Sequence, residues 1–171
     1  MKRTVLSVFS LLLFSHSVFA LETVPYVDLK QYLGVWYEIA RNPAPFQKDC
    51  VASRATYSER KDGKITVLNE CHKGTFDGPL KQAEGVAKVV DTKTNSKLKV
   101  SFFLFFWGDY WIIDLDEEYR WAVVSEPNQK YLWILSRTPQ MIEADYQGII
   151  SRLKEKGFDL SRLRPTPQPL S

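Results

Sequence analysis

The chain is 171 residues long, 44% of them hydrophobic, and carries a formal net charge of +3. This length is enough for one domain with a sizeable core, and so small a net charge argues against a nucleic-acid partner.

The first predicted element is a secretory signal peptide at residues 1–20. Lys2 and Arg3 precede an apolar run, and the segment ends in Val-Phe-Ala, which is typical of a cleavage site. The apolar run is too short to span a membrane, and an uncleaved N-terminal anchor is the alternative. Cleavage would lower the basic count from 23 to 21 against 20 acidic residues. No cysteine follows the cut, so we expect export without a lipid anchor.

Residues 21–171 are predicted to form a single domain that begins with a short helix capped by Asp28 and carrying Tyr32 and Leu33. Turn signals such as Lys-Asp-Gly-Lys and Gly108-Asp109 then separate eight short strands. The predicted strands span residues 34–41, 51–60, 64–71, 82–92, 97–105, 110–115, 119–125 and 130–137. Tight turns between successive strands predict an all-β fold, an eight-stranded up-and-down antiparallel barrel over about residues 34–137, wide enough for one small ligand.

A helix is predicted to follow the barrel at about residues 139–156. Thr138 is a candidate N-cap, and Pro139 would occupy the first helical position. An apolar stripe at helical spacing predicts that this helix packs outside the barrel, with a membrane-surface helix as the alternative. The Pro-rich segment 158–171 is expected to be an extended tail.

Two cysteines, Cys50 and Cys71, favour one disulfide in an oxidising compartment. The alternatives are a reactive thiol or half of a metal site. A zinc site needs about four ligands, and His72 is the one histidine outside the predicted signal peptide, so no metal is expected.

Closure of such a barrel places its first and last strands side by side. Trp36, near the start of the first strand, should therefore lie near Arg137, at the end of the last. A guanidinium over a tryptophan ring contributes about 0.5–2 kcal/mol. We predict that this pair closes one end of the barrel and has no chemical role.

Three stretches resemble the conserved regions of lipocalins. They are Gly34-x-Trp36 after a short helix, Leu115-Asp116-x-x-Tyr119, and Arg137 between the last strand and a helix. The strings YLGVWYEIAR, LKVSFF, LDEEYRWAVV and YLWILSRTP are similar to those of bacterial lipocalins and of apolipoprotein D. The resemblance implies a ligand-binding barrel with Gly34, Trp36, Tyr119 and Arg137 as structural residues at its base. Many bacterial members resemble lipoproteins of the outer membrane, so the resemblance implies export to the periplasm, and association with that membrane is a further expectation.

Alternation along the strands selects the side chains that would face the interior. If Trp36 points inward then Glu38 follows, whereas the second strand offers either Ala55 with Tyr57 or Arg54 with Thr56. The resemblance to apolipoprotein D implies ligand contacts from Tyr57, Trp111 and Trp133. Asn69 lies where a relative has a polar pocket group. The predicted ligand-binding residues are Glu38, Tyr57, Asn69, Phe102, Trp111, Trp133 and Leu135. For Glu38 and Asn69, a fold-stabilising hydrogen bond is the alternative to contact with a head group or a water.

Loops at the other end of the predicted barrel carry large apolar residues. These are Phe46, Phe76, Phe105, Phe106 and Trp107. Apolar side chains on solvent-facing loops mark interaction surfaces. We predict that they surround an entrance and that Phe105, Phe106 and Trp107 contact a membrane surface or a second copy of the chain.

An apolar interior favours the binding, storage or transport of small hydrophobic ligands, such as fatty acids and lysophospholipids, in the cell envelope. Each buried methylene contributes roughly 0.8 kcal/mol, and the head group would stay near Lys48 or Lys73 at the mouth. The alternatives are an enzyme acting on a lipid through a free Cys71 and a membrane or homodimer interaction module. Pairing with Cys50 would consume the thiol, so we expect neither catalysis nor a cofactor.

Overall fold

The structure is a computed structural model that describes residues 21–103 and 105–170. The predicted signal peptide, residues 1–20, lies outside the described residues. Within the described part of the chain, no helix combines the length and apolar character needed to cross a membrane.

Eight antiparallel strands in a meander form a closed barrel, so the predicted fold is confirmed. The strands are β1 (Gly34–Arg41), β2 (Cys50–Glu59), β3 (Ile65–Lys73), β4 (Leu80–Val89), β5 (Lys97–Phe103), β6 (Phe106–Leu115), β7 (Trp121–Ser125) and β8 (Leu132–Ser136). β1 pairs with both β2 and β8, which closes the sheet. Alternating apolar and small residues of β2 to β5 pack inside the barrel, whereas β6, β7 and β8 also carry apolar residues on the outer face, where the helix after the barrel packs.

The hairpin between β5 and β6 differs from the predicted one. Gly108 and Asp109 were expected to form its turn, but they lie within β6 and pair with Val100 and Lys99. The Lys99 ammonium and the Asp109 carboxylate are 3.1 Å apart across the two strands. This cross-strand pair and the backbone ladder extend the hairpin as far as the facing residues Phe103 and Phe106.

Two helices flank the barrel. α1 (Leu29–Tyr32) is capped by the Asp28 carboxylate, as predicted. α2 (Glu143–Glu155) begins four residues later than predicted, because the Thr138 hydroxyl donates to the Gln140 carbonyl oxygen and so does not cap a helix. α2 packs Ile149 and Leu153 against the outer face of the barrel.

The C-terminal segment, predicted to be an extended tail, packs against the barrel and forms part of its wall. Phe158 is buried beside α2, a 3₁₀ turn spans Leu160–Arg162, and β9 (Arg164–Pro165) pairs with the end of β1. β1 pairs with β2 only over Gly34–Tyr37, so the two strands separate above that point. Residues 164–168, the seam segment, fill this gap.

Backbone hydrogen bonds hold the seam segment on both sides. The Thr166 N–H donates to Ile39 on β1, and the Ala52 N–H on β2 donates to Pro167. The Gln168 amide nitrogen adds bonds to the carbonyl oxygens of Glu38 and Ser53. Through these contacts the seam segment completes the barrel wall near its open end.

Candidate functional site

The closed end of the barrel brings together the four residues predicted for its base. The guanidinium carbon of Arg137 lies 3.8 Å from the centroid of the Trp36 ring, so the predicted stacked pair is present. Arg137 also donates to the carbonyl oxygens of Val35 and Tyr119. Gly34 has φ +96°, and a β-carbon there would lie 3.4 Å from an Arg137 nitrogen. Glycine therefore suits this position both in conformation and in space.

Tyr119 and α1 complete this end. Tyr119 has φ 58° in the turn before β7, and its hydroxyl oxygen accepts a 2.7 Å bond from the Asp28 N–H. The Trp36 ring nitrogen donates to the Tyr32 carbonyl oxygen at 2.8 Å, which fixes α1 beneath the ring. The base is thus a hydrogen-bonded plug, and Trp36 is fully buried within it.

A cluster of three tyrosines adjoins the plug, and the sequence analysis predicted only one of them, Tyr57, as a ligand-binding residue. The Tyr110 hydroxyl is 2.8 Å from that of Tyr32 and 2.9 Å from that of Tyr57. Burial raises the pKa of the Tyr57 hydroxyl to about 12 and the pKa of Tyr32 and Tyr110 well above the usual value. These tyrosines come from β2, β6 and α1, and no local motif connects them in the sequence.

The upper lumen is lined by inward-facing side chains that retain accessible surface. Phe102 is 40% exposed, and its ring packs so closely over Gly85 that a β-carbon there would lie 2.7 Å from it. Ala83 pairs with Asn69 on β3, shares its inner face and is exposed. Tyr110 is half-buried, yet burial is the main cause of its raised pKa. These side chains point into the barrel and are still accessible, so they line an internal space.

Three other predicted pocket residues lie on this inner face. Trp133 is half-buried, stacks on Tyr131 with centroids 5.7 Å apart, and donates its ring N–H to Gln47 at 3.0 Å. Leu135 is buried in the interior cluster. The Asn69 side-chain amide is half-buried and makes no hydrogen bond within residues 21–103 and 105–170, so it is free to contact a bound molecule.

Glu38 points inward, but its carboxylate is occupied by the protein itself. It forms an ion pair with Arg41 and accepts hydrogen bonds from Gln47 and Thr166. Arg41 reaches the same face because β1 bulges at Ile39, between Glu38 and Ala40. Arg41 also donates to the carbonyl oxygens of Gln47 and Cys50. Of the two interpretations open for Glu38, these contacts favour the fold-stabilising one.

The inward placement predicted for Trp111 is wrong. Tyr110 and Ile112 belong to the interior cluster, whereas Trp111 packs with the outer cluster beneath α2. The Lys97 ammonium lies 4.4 Å from the centroid of the Trp111 ring. β6 carries apolar residues on both faces because α2 covers the outer one, so alternation gave no signal there.

Cys50 and Cys71 form the predicted disulfide, with an S–S distance of 2.00 Å. The expected irregularity at the start of β2 is a bulge between Val51 and Arg54, and Ala52 there has φ 49°. The thiol of Cys71, which the enzyme alternative requires, is consumed by this bond. In the described part of the chain, no three His, Cys, Asp or Glu residues are grouped as a metal site would need.

The rim of the open end is apolar. Phe105 is 88% exposed and Phe106 is 76% exposed at the tip of the β5–β6 hairpin. Phe46 and Phe76 are also exposed, and Trp107 is half-buried under the Lys88 ammonium at 4.3 Å. A shallow groove of about 460 Å³ lies beside this rim, between the loop at residues 43–49 and the Arg164–Pro165 segment, outside the lumen.

The sequence of this chain is similar to those of known proteins. Residues 27–168 match the family model of the lipocalin-like domain. The chain is 43% identical over 142 residues to outer membrane lipoprotein Blc of Escherichia coli, covering 83% of this chain and 80% of that one. It is 41% identical over 157 residues to temperature-induced lipocalin-1 of Arabidopsis thaliana, covering 86% and 83%.

Two further proteins extend the comparison. Apolipoprotein D of Mus musculus is 34% identical over 150 residues, covering 82% of this chain and 77% of that one. The solved structure of insecticyanin from the tobacco hornworm superposes with a TM-score of 0.69 at 19% identity, covering 88% and 85%. The latter likeness shows the fold alone.

Proposed function

This chain belongs to the lipocalin-like family, and from that premise we propose that it binds and carries single-chain lipids, such as fatty acids and lysophospholipids, in the cell envelope. Lipocalins in general bind or transport small hydrophobic molecules, and the closed barrel found here has that architecture. The relatives named outer membrane lipoprotein support the envelope as the setting. The family match over residues 27–168 supports treating residues 21–171 as one domain.

The observation that carries this proposal is the combination of a sealed base and an accessible apolar upper lumen. Phe102 and Trp133 offer apolar surface to a chain that enters from the open end, and Asn69 offers an unpaired amide. Removing ten to fifteen methylenes from water provides ample driving force at roughly 0.8 kcal/mol each. Part of that energy is offset by ordering the chain and restricting its motion.

Native mass spectrometry of the protein purified from its own envelope tests the proposal. We expect an added mass equal to that of a fatty acid or lysophospholipid, lost on delipidation and restored by adding the same lipid. Bare protein that also fails to bind a fluorescent fatty acid would refute it.

The exposed aromatic tip favours a second function, contact between the rim and a membrane surface. Phe105 and Phe106 project from the hairpin tip, and Trp107 next to them lies under Lys88. Lys81 and Lys73 donate to the carbonyl oxygens of Phe46 and Lys48 on a neighbouring loop of the rim. Apolar side chains ringed by lysines suit an anionic bilayer. A second copy of the chain is the alternative occupant of this surface.

Sedimentation with anionic and zwitterionic vesicles separates these occupants. We expect co-sedimentation with anionic vesicles that is lost in Phe105→Ser/Phe106→Ser. A dimer that sediments independently of vesicles, and dissociates in the same variant, would assign the surface to self-association instead.

A further inference from the structure

The tyrosine triad, formed by the hydroxyls of Tyr32, Tyr57 and Tyr110, has one more hydrogen than it can use. Three hydroxyls supply three hydrogens, whereas the triad contains two oxygen–oxygen contacts. Each contact takes one hydrogen. No other hydrogen bond to these hydroxyls is formed by the residues that the structure describes, so one O–H is left without an acceptor in every arrangement.

Tyr110 is best placed to present the spare hydrogen to the lumen. It is the central member, and it is half-buried, whereas Tyr32 is 2% exposed and Tyr57 is 7% exposed. If Tyr32 and Tyr57 both donate to Tyr110, the Tyr110 O–H remains free. Two bonds accepted by the same oxygen polarise its hydrogen and strengthen it as a donor.

The surroundings favour a neutral partner for that donor. Burial holds the hydroxyls in their protonated form, since the pKa of each is raised. The charged group whose field reaches Tyr32 is Arg137, which lies against the Trp36 ring. A carboxylate brought to the triad would lose its hydration without gaining a direct cationic partner. A hydroxyl or carbonyl oxygen would accept the spare hydrogen at much smaller cost.

We propose that the tyrosine triad is a polar recognition site at the floor of the lumen, which binds a neutral oxygen at the leading end of a single-chain lipid. The ligand class is a fatty acid oxygenated at or near its methyl end, with its carboxylate at the mouth. This inference rests on the proposed lipid-binding function. The site would favour oxygenated fatty acids, which an entirely apolar lumen would disfavour, because burying a hydroxyl without a hydrogen-bond partner costs free energy.

Paired ligands of equal chain length test the site. Hexadecanoic acid and 16-hydroxyhexadecanoic acid are titrated by displacement of a fluorescent fatty acid, with 12- and 14-carbon pairs to match the depth of the lumen. We expect wild-type protein to bind the best-fitting hydroxy acid at least as tightly as its parent acid. In Tyr110→Phe the hydroxyls of Tyr32 and Tyr57 keep their hydrogens, but both side chains are buried and present none of them to the lumen. That hydroxy acid should therefore lose about tenfold in affinity relative to the parent acid.

Two matched variants sharpen the result. Tyr57→Phe leaves two hydroxyls with one contact, so a spare hydrogen survives and the preference should be largely kept. Tyr37→Phe alters a tyrosine outside the interior cluster, on β1, and should change neither affinity. Equal ligand ratios in wild-type protein and Tyr110→Phe would overturn the site, whereas failure of both ligands to bind would overturn the proposed function itself.

A direct measurement covers the case in which Tyr110→Phe does not fold. The infrared carbonyl stretch of 15-oxohexadecanoic acid bound to wild-type protein should move to lower frequency than in hydrocarbon solvent, because the ketone accepts a hydrogen bond. A stretch at the hydrocarbon frequency would show that the ketone finds no donor there and would refute the proposal.

Discussion

The guanidinium of Arg137, at the end of β8, lies flat over the ring of Trp36, at the start of β1, 3.8 Å from its centroid. This contact joins the first and last strands of the barrel at the closed end. The same guanidinium donates to the carbonyl oxygens of Val35 and Tyr119, so one side chain ties β1 to the turn before β7.

Arg137→Ala should lower the free energy of unfolding by about 2 kcal/mol, from the lost cation–π contact and hydrogen bonds. Urea denaturation measures this change. Arg137→Lys keeps the positive charge but not the planar guanidinium with its several donors, and should recover less than half of the lost stability. An unchanged unfolding midpoint in Arg137→Ala would contradict the plug at the base.

Trp133→Ala should weaken binding of a fluorescent fatty acid about tenfold, because it removes a large apolar side chain from the upper lumen. Trp111→Ala is the matched control, since Trp111 packs outside the barrel beneath α2. The control should lower stability and leave the dissociation constant unchanged. Equal losses of affinity in the two variants would mean that the lumen does not contain the ligand.

Thr166→Val should destabilise the fold by about 1–3 kcal/mol, although it preserves side-chain shape. Its hydroxyl donates to the buried Glu38 carboxylate and accepts from Arg41, so its removal leaves buried charges with fewer partners. Removing residues 164–171 should cost more, since the seam between β1 and β2 then opens. Differential scanning calorimetry of wild-type protein and both variants measures these losses, and a truncated protein as stable as wild type would show that the seam segment contributes nothing.

Stability should fall at alkaline pH through the buried tyrosines. The pKa of Tyr57 is about 12 in the folded protein and 10.0 in the reference state, so its contribution is complete below about pH 10. That contribution is lost as the pH rises from about 10 through about 12, and its full size is about 3 kcal/mol. Urea midpoints and tyrosinate absorbance should therefore change together over this range.

The stability of Tyr57→Phe should decline less steeply with rising pH than that of wild-type protein, because one buried hydroxyl that ionises has been removed. Tyr37→Phe serves as the comparison, since its side chain belongs to no part of the triad. Identical pH profiles for all three proteins would show that ionisation of Tyr57 is not linked to unfolding.

The barrel and its plug could be predicted from the sequence because both follow from strand order. An up-and-down meander of eight strands has only one way to close, and that closure brings Trp36 to Arg137. The family model that matches residues 27–168 confirms the resemblance seen in the sequence. In contrast, Trp111 was placed on the wrong face, since β6 is apolar on both sides and its alternation is uninformative.

Two parts of the site had no local signal. Tyr110 is 78 residues from Tyr32 and 53 from Tyr57 in the sequence, so only the folded chain shows that their hydroxyls meet. The Pro-rich C-terminus has no periodicity, and Thr138-Pro139 imitates a helix start. The tail is held by hydrogen bonds to Glu38, Ile39 and Ala52 in the barrel wall, which form only in the folded chain.

The bond from Thr166 to Glu38 joins residues 128 positions apart. The last stretch of the barrel wall can therefore form only after almost the whole polypeptide has been synthesised. Until then a nascent barrel keeps a gap with unpaired backbone groups, which invites pairing with other chains. A purification tag fused directly after Gln168 would interfere with this late step.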